Sequence, residues 1–426
     1  MAKVFQPDAE RLRELGYGAV ANVPVIFDRD NALCREHSRY LRDRAVGQWS
    51  PVSTAAKPRR TKIVAQRTLK LAADSLSVWI DWCETQQQDW RTVAYEDVLT
   101  FQNSMLHGTW SPSGRKLSPA TANRRADEAT AFLEWAGVKQ LRTPFTVPRT
   151  TSSHNFSTGK SSVRTRAEHT ARIHRAKQSR TGGIEAISLL PEPQEVVDWL
   201  ARVLELRGPA KYLAAKFILE TGTRLEETVS IVTDQIPSMA TLRELQGKGR
   251  SAVYVPLTIT KGSVPREIPV AIDFLIELRH WIDTRRQTMA YRYSRRTGQK
   301  ASNLLFISDS RGHEGIPISR ATLYKLFTTV HPRPRKWHPH FGRHAYACFN
   351  TLHSLRSEAA AAGSTLEGMG VDWINSRGSF HLKMLQRNLG HLDEKTTELY
   401  LRWLATAAGV DETYASWHAF LDSGEL

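Results

Sequence analysis

One stretch of this chain alternates at the two-residue period of a strand, while most of the rest repeats at helical spacing. Ser251 to Thr260 is rich in Val, Tyr and Thr, Lys261-Gly262 makes a turn, and Arg266 to Val270 returns. Alternation bounded by turn residues marks a hairpin. A single hairpin in 426 residues excludes a large-sheet architecture. The expected fold class is mainly α with a small antiparallel β-sheet.

The helical signals are spread along the chain. Leu69, Leu76, Ile80 and Cys83 recur near helical spacing, and Ala94 to Leu106 places Val98, Phe101 and Met105 on one face. Ser118 before Pro119 is an N-cap followed by proline at the first helical position. The helix it starts runs from Ala120 to Ala136. Further on, Leu190-Pro191-Glu192-Pro193 opens a run of helices over Val196–Leu206, Tyr212–Glu220, the segment from Arg224, Ile272–Met289 and Arg320–Thr329. Tyr291 to Lys300 reads as a basic loop and Leu304 to Ile307 as a short apolar piece.

These signals divide the chain into four parts. Residues 1–60 are expected as an N-terminal arm with short helices at Asp8–Leu15 and Arg35–Arg44. Residues 61–138 are a compact helical unit. Residues 139–183 are a basic linker, and residues 184–426 a second, larger domain. The linker carries Arg142, Arg149, Lys160, Arg164, Arg166, Arg172, Arg175, Lys177 and Arg180 against one acid, Glu168. Such a composition lacks a core but suits contact with phosphates.

The formal net charge is +16. That surplus points to a polyanionic partner, either nucleic acid or an anionic membrane surface. The apolar run Ala19 to Phe27 is broken by Asn22 and Pro24 and is too short to span a bilayer. Met1 to Glu14 is charged and has no apolar core of a signal peptide. Cys34, Cys83 and Cys348 are scattered and odd in number, which fits neither a disulfide framework nor a zinc site. A reduced, cytoplasmic, nucleoid-associated protein bound to double-stranded DNA is expected. Arg124 and Arg125, paired on one helix face, are candidate DNA contacts, although such pairs are usually a solvated face.

The chemistry resides in segments far apart. Thr221-Gly222-Thr223-Arg224, His340-Phe341-Gly342-Arg343-His344 and Asn388-Leu389-Gly390-His391 are followed by Tyr400, nine residues after His391. Two arginines, several histidines and a tyrosine would be an odd set for a core. They suit a site that grips a phosphodiester and attacks it. Guanidinium binds two phosphate oxygens at once and is always charged, so Arg224 and Arg343 are the candidate clamps. Tyr400 is the candidate nucleophile, and its pKa of ~10 requires help from cations or a base. His340 and His391 are candidates for hydrogen bonding or for taking the phenol proton. Lys261, on the hairpin turn, is the candidate general acid, with Lys248 as its rival. No metal or cofactor is expected, because two guanidiniums can stabilise the transition-state charge.

In these motifs the chain resembles the tyrosine recombinases of the phage integrase family. The likeness rests on Thr221-Gly222-Thr223-Arg224 with Glu227 three on, Lys261-Gly262 before Arg266-Glu267-Ile268-Pro269-Val270, His340-x-x-Arg343-His344, Leu389-Gly390-His391 and Tyr400. It covers residues from about 184 to the end, and residues 61–138 are similar to the family's core-binding domain. The resemblance implies that Arg224, Lys261, His340, Arg343 and His391 assist while Tyr400 forms a 3′-phosphotyrosine bond. Glu227 and His344 would be supporting residues. It further implies a two-domain DNA clamp and a tetramer exchanging strands through a Holliday junction. Val410, Tyr414, Trp417 and Leu421 form a helical stripe that would dock on the next protomer. The implied function is that of a site-specific recombinase, an integrase or transposase of a mobile element. A type IB topoisomerase and a DNA-binding regulator without activity are the alternatives, and accessory proteins are left open. Two departures stand out. Gly342 replaces the family's usual leucine, which would loosen the helix start. The stretch between His344 and Leu389 is longer than usual and reads as an insertion.

Overall fold

The computed structural model describes residues 1–51, 64–156, 165–177, 190–259 and 265–389, with backbone alone at 151–156, 165–169, 371, 387 and 388. The described residues are mainly helical, with three two-stranded antiparallel sheets. The chain forms two compact units, residues 1–179 and 180–426. None of the described helices is long and apolar enough to cross a membrane.

The first unit begins with strand β1 (Lys3–Phe5), paired antiparallel with β2 (Val25–Phe27) so that Val4 faces Ile26. Helix α1 (Ala9–Glu14) is capped by Asp8, whose carboxylate accepts from the backbone N–H groups of Glu10 and Arg11. Helices α2 (Arg35–Ala45), α3 (Gln66–Thr85), α4 (Tyr95–His107) and α5 (Pro119–Val138) follow. Leu76, Trp79, Phe101, Phe132 and Trp135 are fully buried together with Ile26, Tyr40 and Leu41. The N-terminal segment is therefore not an arm, because its apolar side chains complete the core of the helical unit. Polar ties secure it: the Tyr40 hydroxyl donates to Glu128 at 2.6 Å, Arg44 pairs with the same carboxylate, and the Trp135 indole donates to Asp43 at 3.1 Å.

The expected linker also has structure. Strands β3 (Arg149–Phe156) and β4 (Thr165–Arg172) pair antiparallel, with Arg149 opposite Arg172. Several of its cations are spent inside the protein. Arg142 donates to the carbonyls of Trp90 and Val93, Arg149 pairs with Glu134, and Arg172 and Arg175 both bind Asp127. Beyond the hairpin, the Tyr95 hydroxyl donates to the Ile173 carbonyl, and the Asn123 side chain bonds both backbone groups of Ala176. Composition argues against an independent core here. It does not register that a Ser/Thr-rich segment can pair with itself and lean on a neighbouring helix.

The second unit opens with α6 (Pro193–Arg207), where Glu195 accepts from the Glu192 N–H at 2.9 Å. Helices α7 (Pro209–Thr221), α8 (Leu225–Val229) and α9 (Met239–Gly247) follow. The hairpin is as expected: β5 (Ala252–Leu257) pairs with β6 (Arg266–Ala271), Val255 opposite Ile268. Helix α10 (Ile272–Trp281) runs through a π-helical turn, Ile282–Arg286, into α11 (Gln287–Thr297). The segment expected as a basic loop from Tyr291 is thus helical to Thr297. Its Arg, Tyr and Ser residues extend a nucleated helix at little cost.

Helices α12 (Arg320–Thr329), α13 (Pro339–Ala361) and α14 (Val371–Leu389) complete the described chain. Trp199, Phe217, Phe306, Phe327 and Trp337 are the largest fully buried side chains of the main core. The stretch expected as an insertion forms the rest of α13 and all of α14. These helices bury Cys348, Leu352, Leu355, Leu382, Leu385 and Leu389 against one another in a second apolar cluster. Gly342 does not loosen α13. A β-carbon there would lie 3.1 Å from both Leu219 and Phe327, so the missing side chain lets helices pack closely.

Candidate active site

The loop joining α7 to α8 carries the first motif, and four of its features follow from residue type. Gly222 ends α7 at φ 62°, the left-handed region that favours glycine. A β-carbon there would lie 2.5 Å from the side chains of both Leu389 and Tyr346. The threonines on either side are buried and linked: the Thr221 hydroxyl donates to the Phe217 carbonyl, and Thr223 and Thr228 share a hydrogen bond of 2.8 Å. Thr228 also donates to the Arg224 carbonyl at 3.1 Å, so the hydroxyl chain fixes the backbone that presents Arg224.

Arg224 is the N-cap residue of α8, and Glu227 lies three residues on. The Glu227 carboxylate is 2% exposed. It accepts from the Arg224 N–H at 2.8 Å and from the Arg224 guanidinium at 3.0 Å. It also accepts two bonds from Arg266, at 2.8 and 2.7 Å. Burial, the largest influence, would raise this carboxyl. The hydrogen bonds from Arg266 and Arg224, with their charges, outweigh it and hold the group below the usual carboxylate range. Glu227 is thus an anion that orients two guanidiniums. Arg266 escapes a reading by motif alone. The signal for it was the strand Arg266-Glu267-Ile268-Pro269-Val270, whose first residue begins β6 directly after the hairpin turn.

Arg343 lies on the first turns of α13 and is 3% exposed. Its guanidinium donates to the Gly222 carbonyl at 2.7 Å and to the Leu389 carbonyl at 2.5 Å. One side chain therefore joins the Thr-Gly-Thr-Arg loop to the end of α14, where the third motif begins. The α13 N-terminus is capped by His338, whose ring nitrogen accepts from the Phe341 N–H at 3.2 Å. His340 is exposed, and its ring meets that of His344 edge-on with centroids 4.5 Å apart. Burial first, then the positive surroundings of His340, Arg343 and His338, push His344 down to about 3. His344 is therefore neutral near pH 7.

The structure thus brings Arg224, Glu227, Arg343, His340 and His344 into two linked clusters on α7–α8 and α13. Lys261, His391, Tyr400 and Arg164 lie outside the described residues, as does the stripe from Val410 to Leu421, and Arg166 is described only as backbone in β4. Lys248 caps the C-terminus of α9, 64% exposed, and pairs with Glu244 at 2.5 Å. In the first unit Arg124 is exposed on α5. Arg125 lies over the Trp110 ring at 5.0 Å, and burial beside Arg124 and Arg115 lowers its pKa. Its Nη1 atom is buried with no partner among the described residues.

No protein-family model and no curated protein matches this sequence. Among solved structures, the chain is similar to the XerH site-specific recombinase bound to a palindromic difH substrate in a post-cleavage complex. The match has a TM-score of 0.51 and 15% identity, and covers 97% of this chain and 98% of that one. The chain has the tyrosine-recombinase fold. Two further similar structures are XerH bound to difH before cleavage (TM-score 0.47, 14% identity, 86% of this chain and 90% of that one) and the Tn1549 transposon integrase with circular-intermediate DNA (0.44, 15%, 86% and 94%).

Proposed function

We propose that this chain is a site-specific DNA recombinase, an integrase or transposase of a mobile element, which cuts and rejoins DNA through a covalent bond at Tyr400. The observation that supports this most is the convergence on one loop. Gly222 receives Arg343, and two residues later the same loop presents Arg224 against a buried carboxylate. Two fixed guanidiniums near one backbone segment suit a phosphodiester whose non-bridging oxygens gain charge under attack.

In this reading the Tyr400 oxygen attacks phosphorus and forms a 3′-phosphotyrosine. The 5′ sugar oxygen leaves and takes a proton from Lys261. His340 or His391 accepts the phenol proton or bonds the phosphate. Lys248 is the weaker rival for the acid, since it pairs with Glu244 on an exposed helix end. Glu227 and Arg266 are positioning residues that set Arg224. Attack by the 5′ hydroxyl of a partner strand reverses the step and rejoins DNA. The helical first unit, with Arg124 and Arg125, and the catalytic second unit would clamp duplex DNA between them. The stripe from Val410 to Leu421 would link protomers into a tetramer that exchanges strands through a Holliday junction.

A nicked suicide substrate tests this reading. Wild-type protein should form a covalent protein–DNA adduct, and Tyr400→Phe should form none. An adduct surviving in Tyr400→Phe would mean a different nucleophile. Relaxation of plasmids without junction formation would point instead to a type IB topoisomerase. Tight DNA binding without any wild-type adduct would indicate a regulator.

A further inference from the structure

Helix α11 carries more cations than the described residues give it acidic partners. None of the residues of Gln287–Thr297 is buried. From Thr284 to Ser308 the sequence contains no Asp or Glu, yet carries Arg285, Arg286, Arg292, Arg295, Arg296 and Lys300. Arg286 turns inward and donates to the carbonyls of Ser302, Leu304 and Leu305. Arg296 pairs with Glu314 at 2.8 Å. Arg285, Arg292 and Lys300 are exposed and make no hydrogen bond or ion pair among the described residues. Arg295 lies over the ring of Tyr291, itself 62% exposed.

Some surface arginines of this unit differ. Arg202 pairs with Glu205, Arg279 with Asp283 and Arg377 with Glu358. The side of α11 bearing Met289 and Tyr293 is half-buried, while Arg285, Arg292 and Arg295 lie on exposed positions, where charges are favoured by acidic neighbours or a partner. Among the described residues, Arg296 is the one cation of α11 in an ion pair, and the like charges repel one another.

The loop 308–316 fixes where this surface lies. Gly315 sits against α11, where a β-carbon would come within 2.3 Å of the Tyr293 Cβ. At its other end Asp309 accepts from the Ala210 N–H at 3.0 Å, and Lys211 donates to Ser310 at 2.6 Å, both in the first turn of α7. Exposed Arg311 lies between these anchors, and exposed Arg207 ends the helix before α7. The basic surface is therefore at the N-terminal end of α7, while Arg224 follows its C-terminal end. A helix of 13 residues is about 20 Å long. The two sites cannot hold the same phosphate.

We propose that α11 and Arg311 form a second DNA surface that grips the phosphate backbone outside the cut site. This rests on the reading of the chain as a DNA-acting protein, though not on which residue cuts. Duplex DNA fits because cations without acids match a dense line of phosphates, and an exposed tyrosine adds a hydrogen-bond donor. The phosphates belong either to the flank of the cut duplex or to a second duplex.

The test is a variant with Arg292→Gln, Arg295→Gln, Lys300→Gln and Arg311→Gln, checked for an unchanged melting temperature. Binding is measured by anisotropy over a salt series on site duplexes of about 20 and about 60 base pairs, the longer extending well past the Arg224–Arg343 site at about 3.4 Å per step. Each lost phosphate contact lowers the slope of log K against log salt by about 0.9, so a fall of about 2 to 3.6 is expected. A fall confined to the longer duplex assigns the flank. If the complex preformed on the short duplex captures a second labelled duplex, and the variant does not, a second segment is assigned. An unchanged slope in all three arrangements overturns the proposal, and so does a variant that loses only binding to polyglutamate. Wild-type protein that binds no DNA at all would overturn the recombinase reading as well.

Discussion

Arg343 and Leu389 meet through a single bond, the guanidinium Nη2 donating to the Leu389 carbonyl at 2.5 Å, and the same side chain holds the Gly222 carbonyl at 2.7 Å. Removing it leaves two buried acceptors without that donor, at about 1–3 kcal/mol each. Arg343→Ala is expected to lower unfolding stability by about 2–5 kcal/mol in urea titration. Arg224→Ala is expected to cost only about 1 kcal/mol, because Arg266 still holds Glu227 and the Arg224 side chain is already 24% exposed. Both should abolish adduct formation. Equal stability losses in the two variants would contradict the division of labour between them.

Arg266 acts through the carboxylate it shares with Arg224. Arg266→Gln removes two of the bonds that orient Glu227 and lets Arg224 drift. Displacement on the order of 1 Å costs about 100-fold in rate. The single-turnover rate of adduct formation should fall on that scale, with duplex affinity nearly unchanged. Arg266→Lys keeps the charge but not the bidentate geometry and should lie between. On a substrate with a neutral methylphosphonate at the cut site the deficit should shrink, since there is less charge for Arg224 to neutralise. A deficit of the same size on both substrates would make Arg266 merely structural.

Gly222→Ala should be poorly tolerated. The backbone at φ 62° costs a side chain about 1–2 kcal/mol, and the new β-carbon would collide with Leu389 and Tyr346 at 2.5 Å. Overpacking of this kind adds about 1–3 kcal/mol. Differential scanning calorimetry should show a large drop in Tm, and a drop of less than a degree or so would mean the loop simply shifts.

His37 sets a pH dependence in the first unit. It is buried against Phe132, ring centroids 4.1 Å apart, and burial followed by the charge of Arg91 pushes it down to about 3. In the unfolded chain it titrates near 6.5. Between those values the unfolded state binds the extra proton, so stability is full above about pH 6.5 and falls as pH drops towards 3. At pH 5 the loss is on the order of 2 kcal/mol. His37→Phe should flatten that part of a urea-midpoint profile, and a variant profile parallel to wild type would exclude His37 as the source.

Much of this was legible in the chain itself. The hairpin, the Ser118-Pro119 start and the helices around Trp79, Phe217 and Leu323 follow from local periodicity and capping, which act over a few residues. The site motifs were legible because Thr221 to Arg224 and His340 to His344 each keep their chemistry within one short segment. What periodicity could not show depends on contacts between distant residues. Ile26 and Tyr40 enter a core formed mostly by residues beyond 65. Arg149 and Arg172 look like phosphate binders until Glu134 and Asp127 are placed beside them. The role of Arg266 depends on a carboxylate 39 positions away, and that of Gly342 on the empty space between Leu219 and Phe327.

The guanidinium of Arg343 has a bearing on biosynthesis. Its two carbonyl acceptors come from residues 222 and 389, so a nascent polypeptide emerging from the ribosome cannot seat that charge until α14 has been translated to its last residue. A truncated translation product ending before that point would carry Arg224 and Arg343 but not the carbonyl that completes the seat of Arg343.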